Sequence, residues 1–135
     1  MKKVAILLTL TLCACHAITK IDQQKAQTLV QQLIKAENSG DYAGTSKYYT
    51  DDFNASEPMD ARNAKFKQLH DAFGDMTGME LISSKDTTNA NDWPCAHIIY
   101  RVKHTKLNSI EGFSVIWDKG DYKVEAHNIG MEGQK

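Results

Sequence analysis

Cysteine and proline are scarce in this sequence, and neither sign of charge dominates. The 135 residues include three cysteines and two prolines, and 16 basic residues stand against 17 acidic ones. No block of basic residues occurs, so the electrostatic footprint of a nucleic-acid-binding protein is missing and no nucleic acid is expected as a partner. Phosphate-binding loops, GxSxG motifs and paired zinc-ligand motifs are absent as well. We therefore expect one domain that needs no cofactor and no metal ion.

One apolar run stands out at the N-terminus, and it is too short to cross a membrane. It extends from Val4 to Leu12, directly after Lys2 and Lys3, whereas a transmembrane helix takes about 20 apolar residues. A basic start, a short apolar run and small residues after it are typical of a secretory signal. We therefore expect the chain to be exported.

The residues that end this run, Leu12-Cys13-Ala14-Cys15, resemble a bacterial lipobox, in which the cysteine becomes the lipidated mature N-terminus. The resemblance implies a lipoprotein signal peptide at 1–14, a lipid on Cys15, and a tether at 15–22. Cleavage after Ala17 is the alternative. His16 stands where lipoproteins of the inner membrane usually carry Asp, which favours the outer membrane. The expected location is the periplasmic side of the membrane, with the membrane itself as partner. Lipidation would leave Cys95 without an intramolecular disulfide.

The first half of the remaining chain has helical periodicity and the second half has strand periodicity. A helix is predicted after Asp22, a suitable N-cap, and two shorter ones before Gly74. The segments MELISSK, CAHIIYRVKHTK, SIEGFSVIWD and YKVEAHNI predict four strands joined by short turns. This order predicts an α+β domain over 23–131, with N-terminal helices packed on the concave face of a curved antiparallel sheet and a tail at 132–135.

The stretches SGDY and YRVKH…EGFSVIWDKGDYKVEAHNI resemble the nuclear transport factor 2-like superfamily, especially its small secreted bacterial members of unknown function. The resemblance implies a cone, in which a curved sheet wraps helices around a pocket. Related cones often dimerise through the sheet, so a homodimer is possible. Cystatin-like domains have a similar sequence texture and are the alternative fold.

Side-chain alternation predicts which residues line this pocket. On the strand Cys95–His104 the more apolar face includes Tyr100 and His104, and we take it as concave. Glu111 is expected at the rim, and Glu125 and His127 on the outer, solvated face. The full set of predicted pocket residues is Tyr48, Tyr49, Tyr100, His104, Phe113 and Trp117.

Enzymes with this fold place a carboxylate base and hydrogen-bond donors in the pocket. The best candidates for catalysis here are Asp52 and His104, with Tyr100 as a donor. The alternatives are a solvated helix end for Asp52 and a core aromatic for Tyr100. The histidines are scattered, without the spacing of a metal site.

The leading interpretation is a non-catalytic binding or accessory domain on a lipid anchor. It would hold a small apolar ligand in the cone, or an envelope protein on the sheet face that carries Ile99, Arg101 and Ile116. The alternatives are a periplasmic inhibitor or immunity-type protein, and an isomerase- or hydratase-like enzyme that uses the cone pocket.

Overall fold

The computed structural model describes residues 19–133, which form four helical segments followed by four strands. The predicted signal peptide, the lipobox and Cys15 lie outside these residues. The strands form an antiparallel sheet in chain order, so the predicted α+β fold is confirmed. No helix within 19–133 is long and apolar enough to cross a membrane. The elements are α1 (Gln23–Asn38), a 3-10 helix (Ala43–Tyr48), α2 (Asp51–Ser56), α3 (Met59–Phe73), β1 (Met76–Thr88), β2 (Pro94–His104), β3 (Ser109–Asp118) and β4 (Asp121–Met131).

Helix α1 is the central helix on the concave face of the sheet. The carboxylate of Asp22 accepts hydrogen bonds from the backbone N–H groups of Gln24 and Lys25, which begins the helix as the sequence predicted. One face of α1 is fully buried in the core, together with inward side chains of β2, β3 and β4. Glu37 lies on the same face, one turn after Leu33, and is only 6% exposed. The periodicity that buries the apolar residues therefore also buries a carboxyl group.

The cap of α1 can be tested by replacing Asp22 with alanine. We expect the free energy of unfolding to fall by about 1 kcal/mol, because two helix N–H groups lose their acceptor. Urea denaturation followed by circular dichroism measures this change. Asp71→Ala is the matched control, since Asp71 is exposed in the last turn of α3 and does not cap its N-terminus. This variant should change stability by less than about 0.5 kcal/mol. Equal losses in the two variants would contradict this account of the cap.

Strand β4 contains a bulge that changes which of its side chains face the core. Ser114 pairs with Ala126, but the next residue of β3 pairs with Val124, so Glu125 is an extra residue on β4. An extra residue reverses the inward and outward alternation of the strand beyond it. Val124 is fully buried before the bulge, and after it the side chain of His127 is buried instead.

The segment before α3 closes the free edge of β4. Thr50 N donates to Val124 O at 3.0 Å, and Tyr49 forms a parallel bridge with the same residue. Arg62 of α3, which is 1% exposed, holds this segment from outside the sheet. Its guanidinium donates to Ser46 Oγ and Asn54 Oδ1, at 3.2 and 2.9 Å. These contacts fix Tyr49 against the core.

Three sequence expectations need correction at the margins of the domain. Ile21 was expected in the tether but is 2% exposed, because its side chain packs within the hydrophobic core just before α1 begins. Glu132 was assigned to the tail but accepts from Arg101 Nε at 2.6 Å. Ile116 was expected to be exposed on the outer face but is only 5% exposed, at the base of a cleft that Thr50 and Trp93 also line.

Candidate functional site

A connected group of polar side chains lies inside the cone, where α1 faces β3 and β4. Tyr49 Oη donates to Glu37 Oε1 at 2.8 Å and lies 2.8 Å from His127 Nδ1. His127 Nε2 lies 3.2 Å from Glu111 Oε2, and Ser109 Oγ donates to Glu111 Oε1 at 2.8 Å. The side chains of Glu37, Glu111 and His127 are at most 5% exposed. We call these five residues the interior cluster.

The hydrogen bonds define the protons that the imidazole of His127 carries. Tyr49 has one hydroxyl proton and gives it to Glu37, so its oxygen accepts from Nδ1–H of His127. Glu111 Oε1 accepts from Ser109, and Glu111 Oε2 lies within hydrogen-bond distance of His127 Nε2. Both ring nitrogens of His127 therefore face oxygen atoms, an arrangement that favours the imidazolium form, in agreement with its raised pKa.

Each member of the cluster is positioned by a different local feature. Glu37 continues the buried face of α1. Glu111 is the third residue of β3 and shares the inward phase of Phe113. His127 faces inward only because of the bulge at Glu125. Aromatic packing then fixes the ring of His127, whose centroid lies 4.2 Å from that of Phe113.

Tyr49 is held by stacking and by a cation. Its ring centroid is 4.1 Å from that of Phe53, and the guanidinium carbon of Arg62 is 4.7 Å from the Tyr49 ring. Burial and the neighbouring Glu37 raise the pKa of the Tyr49 hydroxyl well above its usual range. Tyr49 therefore stays a neutral hydrogen-bond donor at any physiological pH.

Burial gives the cluster a proton that titrates near neutral pH. It raises the pKa of Glu37 from 4.5 to about 7, helped by the charge of Glu111 and opposed by that of His127. For His127, burial alone would lower the pKa, but the charge of Glu37 and the hydrogen bond to Glu111 raise it above its usual value. Perturbed groups of this kind are common in functional sites, and they also occur in structural ion pairs.

A small cavity borders the cluster beneath α3. It has a volume of about 30 Å³ and is lined by Glu37, Glu111 and His104, with Phe66 and Phe73 of α3 on the opposite side. This volume is about that of one water molecule, whereas small-molecule pockets have volumes of roughly 300 Å³ or more. The cone interior formed by residues 19–133 is therefore closed to a substrate-sized molecule in this conformation.

Three of the cluster residues could hold a metal ion by distance. Their ligand atoms, one each from Glu37, Glu111 and His127, lie within 4.8 Å of one another. Two carboxylates and an imidazole are suitable ligands for a divalent transition metal. However, both ring nitrogens of His127 and both oxygens of Glu111 already make hydrogen bonds. A metal would have to replace these bonds, so the arrangement fits a proton network better.

The structure does not bring the predicted pocket residues together around one open pocket. Tyr49, Tyr100 and Phe113 are at most 2% exposed and are part of the packed core. Tyr48 lines a surface groove along α1, and Trp117 is 40% exposed at the end of β3. The prediction of one lined pocket is therefore wrong, because the aromatic rings fill the cone.

The proposed catalytic set of Asp52 and His104 is not assembled either. Asp52 is exposed and borders a cleft near Ile116, which pairs with Cys95 at the start of β2. His104 ends the same strand nine residues later, which is about 30 Å away along an extended strand. His104 instead contacts Gly74 O and Ser109 Oγ, at 3.1 and 3.3 Å, and so extends the interior cluster.

The sequence pattern does not identify Glu37, Glu111 and His127 as members of the interior cluster. Glu37 was visible as the polar position on the buried face of the first helix. Glu111 was assigned to the rim, but β3 begins two residues before it and buries it. His127 was assigned to the outer face, and this is wrong because of the bulge in β4.

Comparison with known proteins shows the fold alone. Neither a protein family nor a curated protein sequence matches the chain. Among solved structures, ActVI-ORFA from Streptomyces coelicolor is similar over 81% of this chain and 96% of its own, with a TM-score of 0.55 and 9% identity. Bd1075 from Bdellovibrio bacteriovorus is similar over 83% of this chain and 41% of its own, with a TM-score of 0.54 and 14% identity. These matches support the α+β fold of the chain.

Proposed function

We propose that the chain is a lipid-anchored protein of the bacterial cell envelope whose cone domain binds a partner through its surface and is not a catalyst. The observation that carries this proposal is the closed interior, whose cavity of about 30 Å³ is far smaller than a small-molecule pocket inside the cone would be. It also argues against the small apolar ligand that the sequence suggested. Large apolar side chains are exposed instead, among them Leu81, Ile82 and Leu107. A second copy of the chain or another envelope protein are the partners that this proposal allows.

Native mass spectrometry of the mature domain, exported as Cys15→Ser and extracted gently, tests the proposal. The serine removes the lipid, so any additional mass comes from a ligand or a partner. We expect a complex with a protein and no small-molecule adduct. If the partner is a hydrolase or a toxin, the protein is an inhibitor. A monomer without any partner, or a retained small molecule, would contradict surface binding.

Lipidation at Cys15 predicts that replacing Cys15 and replacing Cys13 have different effects on membrane association. Cys15→Ser should move the protein from the membrane fraction to the soluble periplasmic fraction, because the acyl chains can no longer be attached. Cys13→Ser is the matched control and should leave the protein in the membrane fraction. Cell fractionation with immunoblotting measures both variants. Membrane association that survives Cys15→Ser would contradict lipidation at this position.

A second candidate, proton-transfer catalysis, is favoured by the interior cluster. Glu37 has a pKa of about 7 and lies in hydrogen-bond contact with Tyr49, an arrangement suited to an acid or a base near neutral pH. A substrate could enter only if α3, which lies over the cavity, moved away. A small-molecule adduct that is retained by the parent protein and lost in Glu37→Gln would favour this candidate over surface binding.

A further inference from the structure

Two exposed tryptophans lie at one end of the cone. Trp93 is 54% exposed and Trp117 is 40% exposed. Together with Ile21 and Pro94 they line a surface cleft of about 260 Å³. The ring of Trp117 also packs edge-on against Tyr122, with the centroids 4.9 Å apart. We call these five residues the aromatic end.

The polypeptide enters the domain at this same end. The backbone N–H of Asp22 donates to Tyr122 Oη at 3.1 Å, and Lys20 Nζ lies 3.2 Å from Asp86 Oδ2 near the end of β1. In an antiparallel sheet of four consecutive strands, the β1–β2 and β3–β4 turns lie at the same end of the strands. These turns carry Trp93 and flank Trp117, so the N-terminal segment leaves the domain beside the aromatic end.

The short distance along the chain limits what can face this surface. Ile21 follows Cys15 by six positions, and six residues reach at most about 20 Å. A small folded domain is about 30 Å across, so it could not fit between the aromatic end and a membrane that holds Cys15. The bilayer surface is the partner that fits this gap.

The charges at this end indicate which lipids it would contact. Exposed Asp92 lies in the β1–β2 turn, exposed Asp121 begins β4, and Asp51 pairs with Lys119. Lys25, Lys47 and Lys123 line a groove beside Tyr122, but Asp22 and Asp121 line it with them. Among the described residues at this end the two signs of charge are therefore mixed, which gives little attraction to anionic lipids. Tryptophan, by contrast, favours the membrane interface, where its ring is in an apolar environment and its N–H can donate a hydrogen bond.

We propose that the aromatic end docks on the bilayer that holds the lipid anchor, with Trp93 and Trp117 among zwitterionic phospholipid headgroups. This inference rests on the proposed lipidation of Cys15. It assigns an orientation to the domain, in which the opposite end, with Leu107 exposed between β2 and β3, faces away from the membrane.

Intrinsic fluorescence tests the docking directly, because the chain has only two tryptophans. The full lipidated protein is reconstituted into phosphatidylcholine vesicles with brominated acyl chains. We expect a blue-shifted emission, quenching by the bromines and a roughly threefold loss of quenching by acrylamide, relative to the Cys15→Ser protein in solution. Added phosphatidylglycerol should not strengthen these changes. Single Trp93→Phe and Trp117→Phe variants separate the two signals.

A reporter at the opposite end is the control. In a Trp93→Phe/Trp117→Phe background, Leu107→Trp should keep a water-exposed emission and full acrylamide quenching on the same vesicles. If the acylated protein floats with vesicles while Trp93 and Trp117 stay as exposed as in solution, the docking inference is overturned and the anchor stands. A mature protein whose mass includes no acyl chains would overturn the anchor, and the docking inference with it.

Discussion

Replacing His127 with leucine should lower the free energy of unfolding by about 3–5 kcal/mol at pH 5, because the buried interior cluster would lose its cation. The imidazolium is fully buried between Tyr49 and Glu111, and Glu37 Oε1 lies 3.4 Å from its Nδ1. Leucine would leave the buried carboxyl groups of Glu37 and Glu111 without a cation, with only the hydroxyls of Tyr49 and Ser109 as donors. Urea denaturation of the parent and the variant measures the loss.

The same variant should be less damaging at alkaline pH, because the raised pKa of His127 means that the stability contributed by its charge is lost as the pH rises through the folded value. We expect the loss at pH 8 to be smaller than at pH 5. His70→Leu is the matched control, because its side chain is 43% exposed and pairs only with an exposed Asp75; it should change stability by less than about 0.5 kcal/mol. A loss below about 1 kcal/mol for His127→Leu at pH 5 would show that the cluster is not a coupled network.

The global fold could be predicted because its elements depend on local patterns. The period of α1, its cap at Asp22 and the alternation of β2 and β3 are all properties of neighbouring residues. The burial of Tyr100 and Phe113 follows from the same alternation, and both are core residues in the structure. What alternation cannot tell is whether an inward aromatic lines a cavity or fills it, because this depends on the volume between sheet and helices.

The candidate site could not be predicted because it depends on long-range geometry. One extra residue at Glu125 brings His127 to the inside, and nothing in the sequence of β4 marks this bulge. The predicted pairing of Asp52 with His104 is wrong for a related reason. The sequence gives the phase of a strand, but which of its two ends adjoins α2 depends on how the chain turns before it.

The proton on Glu37 makes stability depend on pH in a direction opposite to that of most surface carboxylates. Burial raises the pKa of Glu37 from 4.5 to about 7 in the folded protein, so between these values the folded state holds a proton that the unfolded chain has released. Stability therefore falls as the pH rises through this window, by about 3 kcal/mol for such a shift. His127 acts in the same direction, because its raised pKa means that its contribution is lost as the pH rises through the folded value.

Glu37→Gln should remove most of this dependence, since the amide oxygen can still accept from Tyr49 and carries no charge to desolvate. As the pH rises from 5 to 8, the free energy of unfolding of the variant should increase by about 3 kcal/mol relative to that of the parent. Urea denaturation at each unit of pH measures this difference. Glu80→Gln is the control, because Glu80 is 53% exposed and pairs with Arg101 at the surface; its difference from the parent should stay constant over this range. Parallel curves for Glu37→Gln and the parent would mean that Glu37 is ionised throughout. Its negative charge would then be permanently neutralised by His127, and the interior cluster would be a fixed ion pair with no proton to transfer near neutral pH.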